Sequence, residues 1–453
     1  MRQTCEHGRW GSPFYLVPTN ATLSLTSTDP PWGPWFTKDG KSKQLFSWET
    51  YQHTHWRALP HALIHRLAHH PARTADVESA CYCVVAALGT PVLNVRLWQK
   101  TCGTAWRQLC PPSIPLVVVD SADVDYASHP LCDELWVTDR MCAAKGYRPA
   151  QQAQCCSALL GNIMRVSGGP IGIFRQERLP CVNHSLTVPW IAHTRSATRP
   201  PDRSRRIRTS YAMGYYGHFM AHTKGFTKWR KALIDACSLA GNCKGDEHVP
   251  MGGEKINSAV NLYAESVFCL MPPGDVLSRA AIIDAIAVGC VPVFFHRLQS
   301  ALWPLHWDGR KGSVLFDWSR WSELPKRKLN NLTVEDFAPE AQKVLQQLAT
   351  LPSHEVLRLQ RAVREIMPAM VYTLNGSNAP FVTRVPTADS PTPEDQNTWP
   401  HARGPADAVE TLIHRLPELL EQRGWVLRRS HGHRSSGGEH SEGTGHGGGA
   451  HRD

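Results

Sequence analysis

SVFCLMPPGDVLSRAAIIDAIAVGCVPVFFH, from Ser266 to His296, is the stretch that decides the fold. Glu265–Leu270 is a short apolar run that stops at Met271-Pro272-Pro273-Gly274-Asp275, so it reads as a buried strand entering a loop. Ser278–Val288 then carries helix-forming residues, and Val291–Phe295 is a second β-branched and aromatic run after Gly289. The unit is strand, glycine-containing loop, helix, tight turn, strand. A helix N-terminus leaves backbone N–H groups without intrahelical partners and carries the positive end of the dipole, which suits a diphosphate. Gly274 and Asp275 lie in the loop, Ser278 and Arg279 in the first helical turn. Arg279 supplies a planar, permanently charged donor for phosphate oxygens. Asp284 follows among apolar neighbours and needs a partner, for which a ribose diol would serve. A purely structural arrangement suits the same residues: Ser278 as helix cap, Arg279 as surface charge, Asp284 salt-bridged in the core. On these residues alone the two readings stand level.

Working outward, the C-terminal side continues the alternation. Tyr211–Tyr216 and Val314–Phe316 read as strands, and Phe226–Ser238 as a helix. Pro339–Thr350 is a helix with proline in its first turn, Ser353 caps a helix running towards Met367, and Ala406–Glu421 is a last amphipathic helix. Upstream, Glu49–Ala68 has helical spacing. Ala80–Leu88, Ile114–Asp120, Leu135–Thr138 and Ile171–Phe174 each fit a buried strand. Asp120 closes its run and so stands at the strand's carboxyl end, the edge that faces the ligand crevice in open parallel sheets. The alternation predicts an α/β protein with two doubly wound, Rossmann-like domains. The expected boundaries are an irregular extension over 1–45, an N-terminal acceptor domain over 46–195, a linker over 196–208 and a C-terminal nucleotide-sugar domain over 209–385. A C-terminal segment with a closing helix over 386–429 and a disordered Gly/His/Ser tail over 430–453 complete the chain.

At 453 residues the chain is too long for one core. Its formal charge is +10, part of it in Arg203–Arg208, which follows Pro200-Pro201 and reads as a solvated linker. No zinc-finger spacing, RNP motif or basic helix occurs, so nucleic acid is excluded as a partner. Neither a dinucleotide-binding GxGxxG nor a Walker A sequence is found. The 14 cysteines include no C-x-x-C pair, so metal-ligand spacing is absent. Together with N-x-S/T sequons at Asn20, Asn183, Asn331 and Asn375, they lean towards a lumenal protein with disulfides of unspecified connectivity. No apolar run reaches the roughly 18–20 residues of a membrane span, and no signal peptide opens the chain. Either the protein is soluble, or a natural N-terminal anchor lies outside the given sequence. The histidines of the tail have no fixed geometry for a metal.

The 266–296 stretch resembles the exostosin family of glycosyltransferases, and within it the plant xyloglucan galactosyltransferase-like branch, whose pattern is close to S-x-FCL-x-PPGD-x-x-x-R-x-x-x-D-x-x-x-x-GC-x-PVFF. Ser266, Phe268, Cys269, Leu270, Pro272, Pro273, Gly274, Asp275, Asp284, Gly289, Cys290, Pro292, Val293, Phe294 and Phe295 match it. Arg279 takes the arginine place, at the same distance from Asp284 or one residue nearer, according to how the loop is aligned. Tyr215-Tyr216-Gly217 with Trp229-Arg230 is similar to a second family element, whereas the family's G-R-D-H-F element is not found between about 90 and 180. The resemblance implies a GT-B type fold, two Rossmann-like domains facing a cleft, with the last helix packed back across the boundary. It implies transfer of a sugar from a nucleoside diphosphate, UDP above all, to a hydroxyl of a glycan or glycoprotein acceptor. The reaction would be inverting and metal-independent, in the Golgi lumen, with a membrane anchor outside this chain. Gly274, Asp275, Ser278, Arg279, Asp284 and Arg230 are the expected donor contacts. No cofactor or metal site is expected; Asp123-x-Asp125 is formally D-x-D but lies away from the donor motif. Inversion requires a base beside the acceptor hydroxyl, for which Asp120, Glu177 and His218 are the candidates. The alternative is a catalytically inactive, exostosin-like glycan-binding or scaffold protein.

Overall fold

The computed structural model describes residues 12–18, 59, 63–64, 66–68, 70–87, 110–111, 113–120, 163–167, 185–190, 205–213, 224–246, 253–273, 277–322, 324, 328, 331–372 and 407–422. Two separate sheets organise them. The first joins β1 (Phe14–Leu16), β2 (Arg73–Thr74), β3 (Tyr82–Ala87), β4 (Leu116–Asp120), β5 (Ile163–Ser167) and β6 (Ser185–Thr187) in the order β2-β1-β3-β4-β5-β6. The second joins β7 (Ile207–Ala212), β8 (Cys243–Asp246), β9 (Ser266–Met271), β10 (Val291–Phe294) and β11 (Val314–Leu315) in the order β11-β10-β9-β7-β8. Every pairing is parallel. Counted from its own first strand, each sheet follows the same 2-1-3-4-5 progression. Each is therefore doubly wound, with its topological switch between the first and third strands. The expected fold class, α/β with two Rossmann-like halves, is the observed one.

Helices of the second half are α1 (Lys224–Leu239), α2 (Gly253–Ala264), α3 (Ala280–Ala287), α4 (Ala338–Thr350), α5 (Ser353–Met370) and α6 (Ala408–Gln422). β9 and β10 are buried along their whole length, as strands covered on both faces must be. Trp229 of α1 packs edge-on against Trp318 and Phe337, at centroid distances of 5.4 and 6.0 Å, and Trp318 meets Phe295 at 4.9 Å. In the first half Leu59, Leu63, Ile64 and Leu67 are buried in the predicted helical stretch.

Three expectations change. Phe14–Leu16 lies within the stretch read as an irregular extension, yet it is an inner strand of the first sheet. Three residues are too few to show a period, and both partners lie far along the chain. The strand expected at Tyr211–Tyr216 begins instead at Ile207, inside the expected linker. The arginines there are structural. Arg205 donates to the carbonyls of Tyr263 (3.2 Å) and Val288 (2.7 Å), at the carboxyl ends of α2 and α3, and to that of Ser266 (2.5 Å), the first residue of β9. Arg208 donates to Leu348 and Leu351, both at 2.9 Å, at the carboxyl end of α4, and lies over the Phe268 ring. The last carbonyls of a helix lack intrahelical partners and sit at the negative end of its dipole, so two arginines satisfy three helix ends. Arg206, between them, is exposed. Leu135–Thr138 and Ile171–Phe174 lie outside the described residues.

The halves meet at two places. Thr187 Oγ1 accepts from the Trp303 amide (3.0 Å), the Pro189 carbonyl accepts from Tyr372 Oη (2.8 Å), and Trp190 Nε1 donates to Ser278 Oγ (3.2 Å). Arg66, from the helical stretch of the first half, pairs with Asp407 and Glu410 at 3.2 Å each, and His70 reaches Glu410 at 3.0 Å. Asp407 in turn caps α6 by accepting from the Val409 and Glu410 amides. Disulfides join Cys83 to Cys110, Cys237 to Cys243 and Cys269 to Cys290. Among the described residues, no helix is long and apolar enough to cross a membrane.

Candidate functional site

β9 leads directly into Met271-Pro272-Pro273, all three buried, at the carboxyl edge of the second sheet beside the switch between β7 and β9. Two guanidinium groups meet there. Arg230, on α1, donates through Nε to the Pro273 carbonyl at 3.1 Å. Arg279, the residue before α3, donates through Nη1 to the Pro272 carbonyl at 3.2 Å. They are 49 positions apart in a chain whose topology brings them to adjacent carbonyls. Sequence reasoning chose both as donor contacts, and the structure places both at one bend of the backbone.

Arg279, with extended φ and ψ of −129° and 139°, is the N-cap of α3 and gives it no side-chain cap bond. Ser278 is therefore not the helix cap. Its side chain is buried and accepts from Trp190, so this expected donor contact holds the two halves together. Asp284 sits in the second turn of α3 and is only 4% exposed, among Ile282, Ile283, Ala285 and Ile286. A carboxylate so placed is costly unless it is paired or hydrogen-bonded. α3 ends on Gly289, whose φ of 74° is the left-handed conformation that glycine adopts without strain. The Gly289 amide donates to Ile286 and the Cys290 amide to Ala285, the paired bonds of a Schellman turn. This accounts for the Gly-Cys pair of the motif: glycine turns the chain, and Cys290 then binds Cys269 across β9 and β10.

Gln299 was not anticipated. It is fully buried and uses both ends of its amide. Oε1 accepts from the Phe295 and His296 amides (2.9 and 3.1 Å), and Nε2 donates to the carbonyls of Met271 (2.8 Å) and Leu277 (3.4 Å). His296 Nδ1 accepts from the Leu298 amide in the reciprocal half of a capping box. The sequence signal was H-x-x-Q directly after a strand, which a search for the usual Ser/Thr box overlooks. Beyond β11 lies Asp317. Burial pushes its carboxyl up, but hydrogen bonds from Ser319 and Arg297 and the charge of His296 outweigh this and hold it below the usual range. Gly274, Asp275, Glu177 and His218 lie outside the described residues. Asp120 ends β4, as expected, with its side chain outside them.

Doubly wound parallel sheets with two arginines at the carboxyl edge, beside a buried helix that carries one acidic residue, make an α/β architecture suited to an anionic ligand. Residues 157–329 match the family model of the Exostosin GT47 domain. The match runs from before β5 to past β11, taking in the end of the first sheet and all of the second. Xyloglucan-specific galacturonosyltransferase 1 of Arabidopsis thaliana is 32% identical over 158 residues, 34% of this chain and 21% of that protein. Probable xyloglucan galactosyltransferase GT19 of the same plant is 28% identical over 129 residues, 28% and 26% of the two chains. The exostosin resemblance therefore holds, in the xyloglucan galactosyltransferase-like branch, and the chain spans about a quarter of the length of these relatives. Among solved structures, a kitacinnamycin glycosyltransferase covers 64% of this chain and 74% of its own at a TM-score of 0.29 and 11% identity. The calicheamicin glycosyltransferase CalG4 covers 64% and 72% at 0.27 and 14%.

Proposed function

We propose that this chain is a glycosyltransferase that moves a sugar from a nucleoside diphosphate, UDP above all, to a glycan hydroxyl. The observation that carries this is the meeting of Arg230 and Arg279 at the Pro272-Pro273 bend, at the start of a helix whose second turn holds the buried Asp284. Two guanidinium groups and a helix N-terminus stabilise the negative charge that gathers on a departing diphosphate, which is chemistry that needs no metal. Asp284 would accept hydrogen bonds from the ribose hydroxyls. Inversion would then need a base from the first half, where Asp120 ends β4 at the carboxyl edge of its sheet. The three disulfides among the described residues favour an oxidising compartment, and with the exposed sequon residue Asn331 they support a Golgi-lumen setting with a membrane anchor outside the given sequence.

The test is UDP binding by calorimetry, with and without Mn²⁺, for the parent, Arg279→Ala and Asp284→Asn. Hydrogen bonds to charged groups contribute on the order of 1.5–3 kcal/mol, so each variant should bind roughly tenfold to a hundredfold more weakly. Arg297→Ala removes an exposed arginine outside the bend and serves as the control. Folded Arg279→Ala and Asp284→Asn proteins that bind UDP like the parent would place the donor site elsewhere. Mn²⁺-dependent binding would remove the metal-independent part of the proposal.

A further inference from the structure

We infer that Gln299 is a positioning residue for the donor site, holding the two ends of the β9–α3 connection at a fixed separation. The inference rests on the glycosyltransferase reading above. Met271 is the last residue of β9, and Leu277 lies two residues before the N-cap of α3. One buried amide group donates to both carbonyls while accepting from two amides just past β10. A glutamine amide has two N–H donors and an oxygen with two lone pairs, so all four capacities are engaged. Within the span that Gln299 brackets stand Pro272 and Pro273, which receive Arg279 and Arg230. The register of both guanidinium groups relative to α3 therefore depends on a side chain 20 residues beyond Arg279 that touches neither of them. No apolar residue of the same size can do this, because two of the partners are acceptors and two are donors.

Glutamate distinguishes positioning from simple space-filling. An ionised Gln299→Glu side chain still accepts from Phe295 and His296, but it turns negative charge on the Met271 and Leu277 carbonyls. A protonated one donates an O–H to one of them and so restores three of the four glutamine hydrogen bonds. Burial away from water raises the pKa of such a carboxyl. Groups that titrate or carry charge on the surrounding elements are His296 and Arg297 on its own turn, Arg279 before α3 and Asp317 beyond β11. Measuring UDP affinity of parent and variant from pH 5.5 to pH 8.5, and taking the ratio at each pH, cancels these groups and the ionisation of UDP itself.

At high pH Gln299→Glu should bind about tenfold more weakly than the parent. The ratio should return to within about threefold as the pH falls. Gln299→Met, with no hydrogen-bonding group of that kind, should be weakened at every pH with no recovery. A Gln299→Glu ratio that stays flat across the range overturns the inference. So does failure of both variants to fold at any pH, since Gln299 would then be a core residue and nothing more. A parent that does not bind UDP refutes the glycosyltransferase reading instead, and the two failures are thus distinguishable.

Discussion

Arg205→Ala should destabilise the second half far more than Arg206→Ala, although the two are neighbours in the same basic run. Arg205 makes three hydrogen bonds to main-chain carbonyls, two at the ends of α2 and α3 and one at the start of β9, the longest at 3.2 Å. Charge-assisted bonds of this kind contribute about 1.5–3 kcal/mol each when counted singly. They share one guanidinium and are only half-buried, so they are not additive, and water reaches part of the gap when the side chain is removed. A loss of about 3 kcal/mol is the physical expectation, near one good bond plus part of the dipole interaction at two helix ends. For a cooperative unit of about 200 residues this corresponds to a drop in Tm of roughly 6–12 °C. Arg206 is exposed, and its loss should stay within about 0.5 kcal/mol. Scanning calorimetry and urea titration followed by Trp fluorescence measure both variants. Equal, small shifts for Arg205→Ala and Arg206→Ala would show that the run is a solvated linker and that the helix ends are satisfied by water.

Other perturbations have equally definite outcomes. His306 is fully buried, its Nε2 bonded to the Ala408 carbonyl, and burial lowers its pKa to about 4. The unfolded imidazole takes up its proton near pH 6.5, so stability is complete above that pH and falls, by about 3 kcal/mol in all, as the pH drops from 6.5 towards 4. His306→Gln should flatten that part of the profile of urea midpoint against pH. Burial raises the Glu410 carboxyl, but the His70 hydrogen bond and the charges of His70, Arg66 and His414 prevail and depress it. Its contribution is present above the ordinary carboxylate pKa and disappears as the pH falls through the depressed one, so Glu410→Gln should be less acid-sensitive below about pH 4.5. Replacing Cys269 and Cys290 together by Ala should cost about 3 kcal/mol, from the loop of chain they close. Reductant should then lower the Tm of the parent more than that of the double variant, and equal losses would contradict the pairing.

The second half was legible because its signals are local. β9 and β10 are unbroken apolar runs on either side of the helix-forming stretch of α3, and Pro272, Gly289 and Pro352 mark where the chain must turn. α4 and α5 were found within a few residues for the same reason: proline sits in the first turn of one and before the other. What stayed hidden depends on distant partners. β1, β2 and β6 span two or three residues each and exist as strands only beside their neighbours. Arg205 and Arg208 read as solvated charge because the carbonyls they bind lie about 60 to 140 residues away. Ser278 illustrates the limit from the other side. Position and type suited a cap, while the cap is Arg279 and Ser278 receives an indole 88 residues upstream.

Two latches hold the halves, and they differ in kind. One is the chain itself, docked by Thr187, Pro189 and Trp190; the other is the buried ion cluster of Arg66, His70, Asp407 and Glu410. Parting the halves must strip Arg66 from its carboxylates or Trp190 from Ser278. Because Ser278 stands directly before Arg279, the contact that joins the halves is one residue from an arginine of the Pro272-Pro273 bend, and parting the halves there pulls on the backbone that positions it.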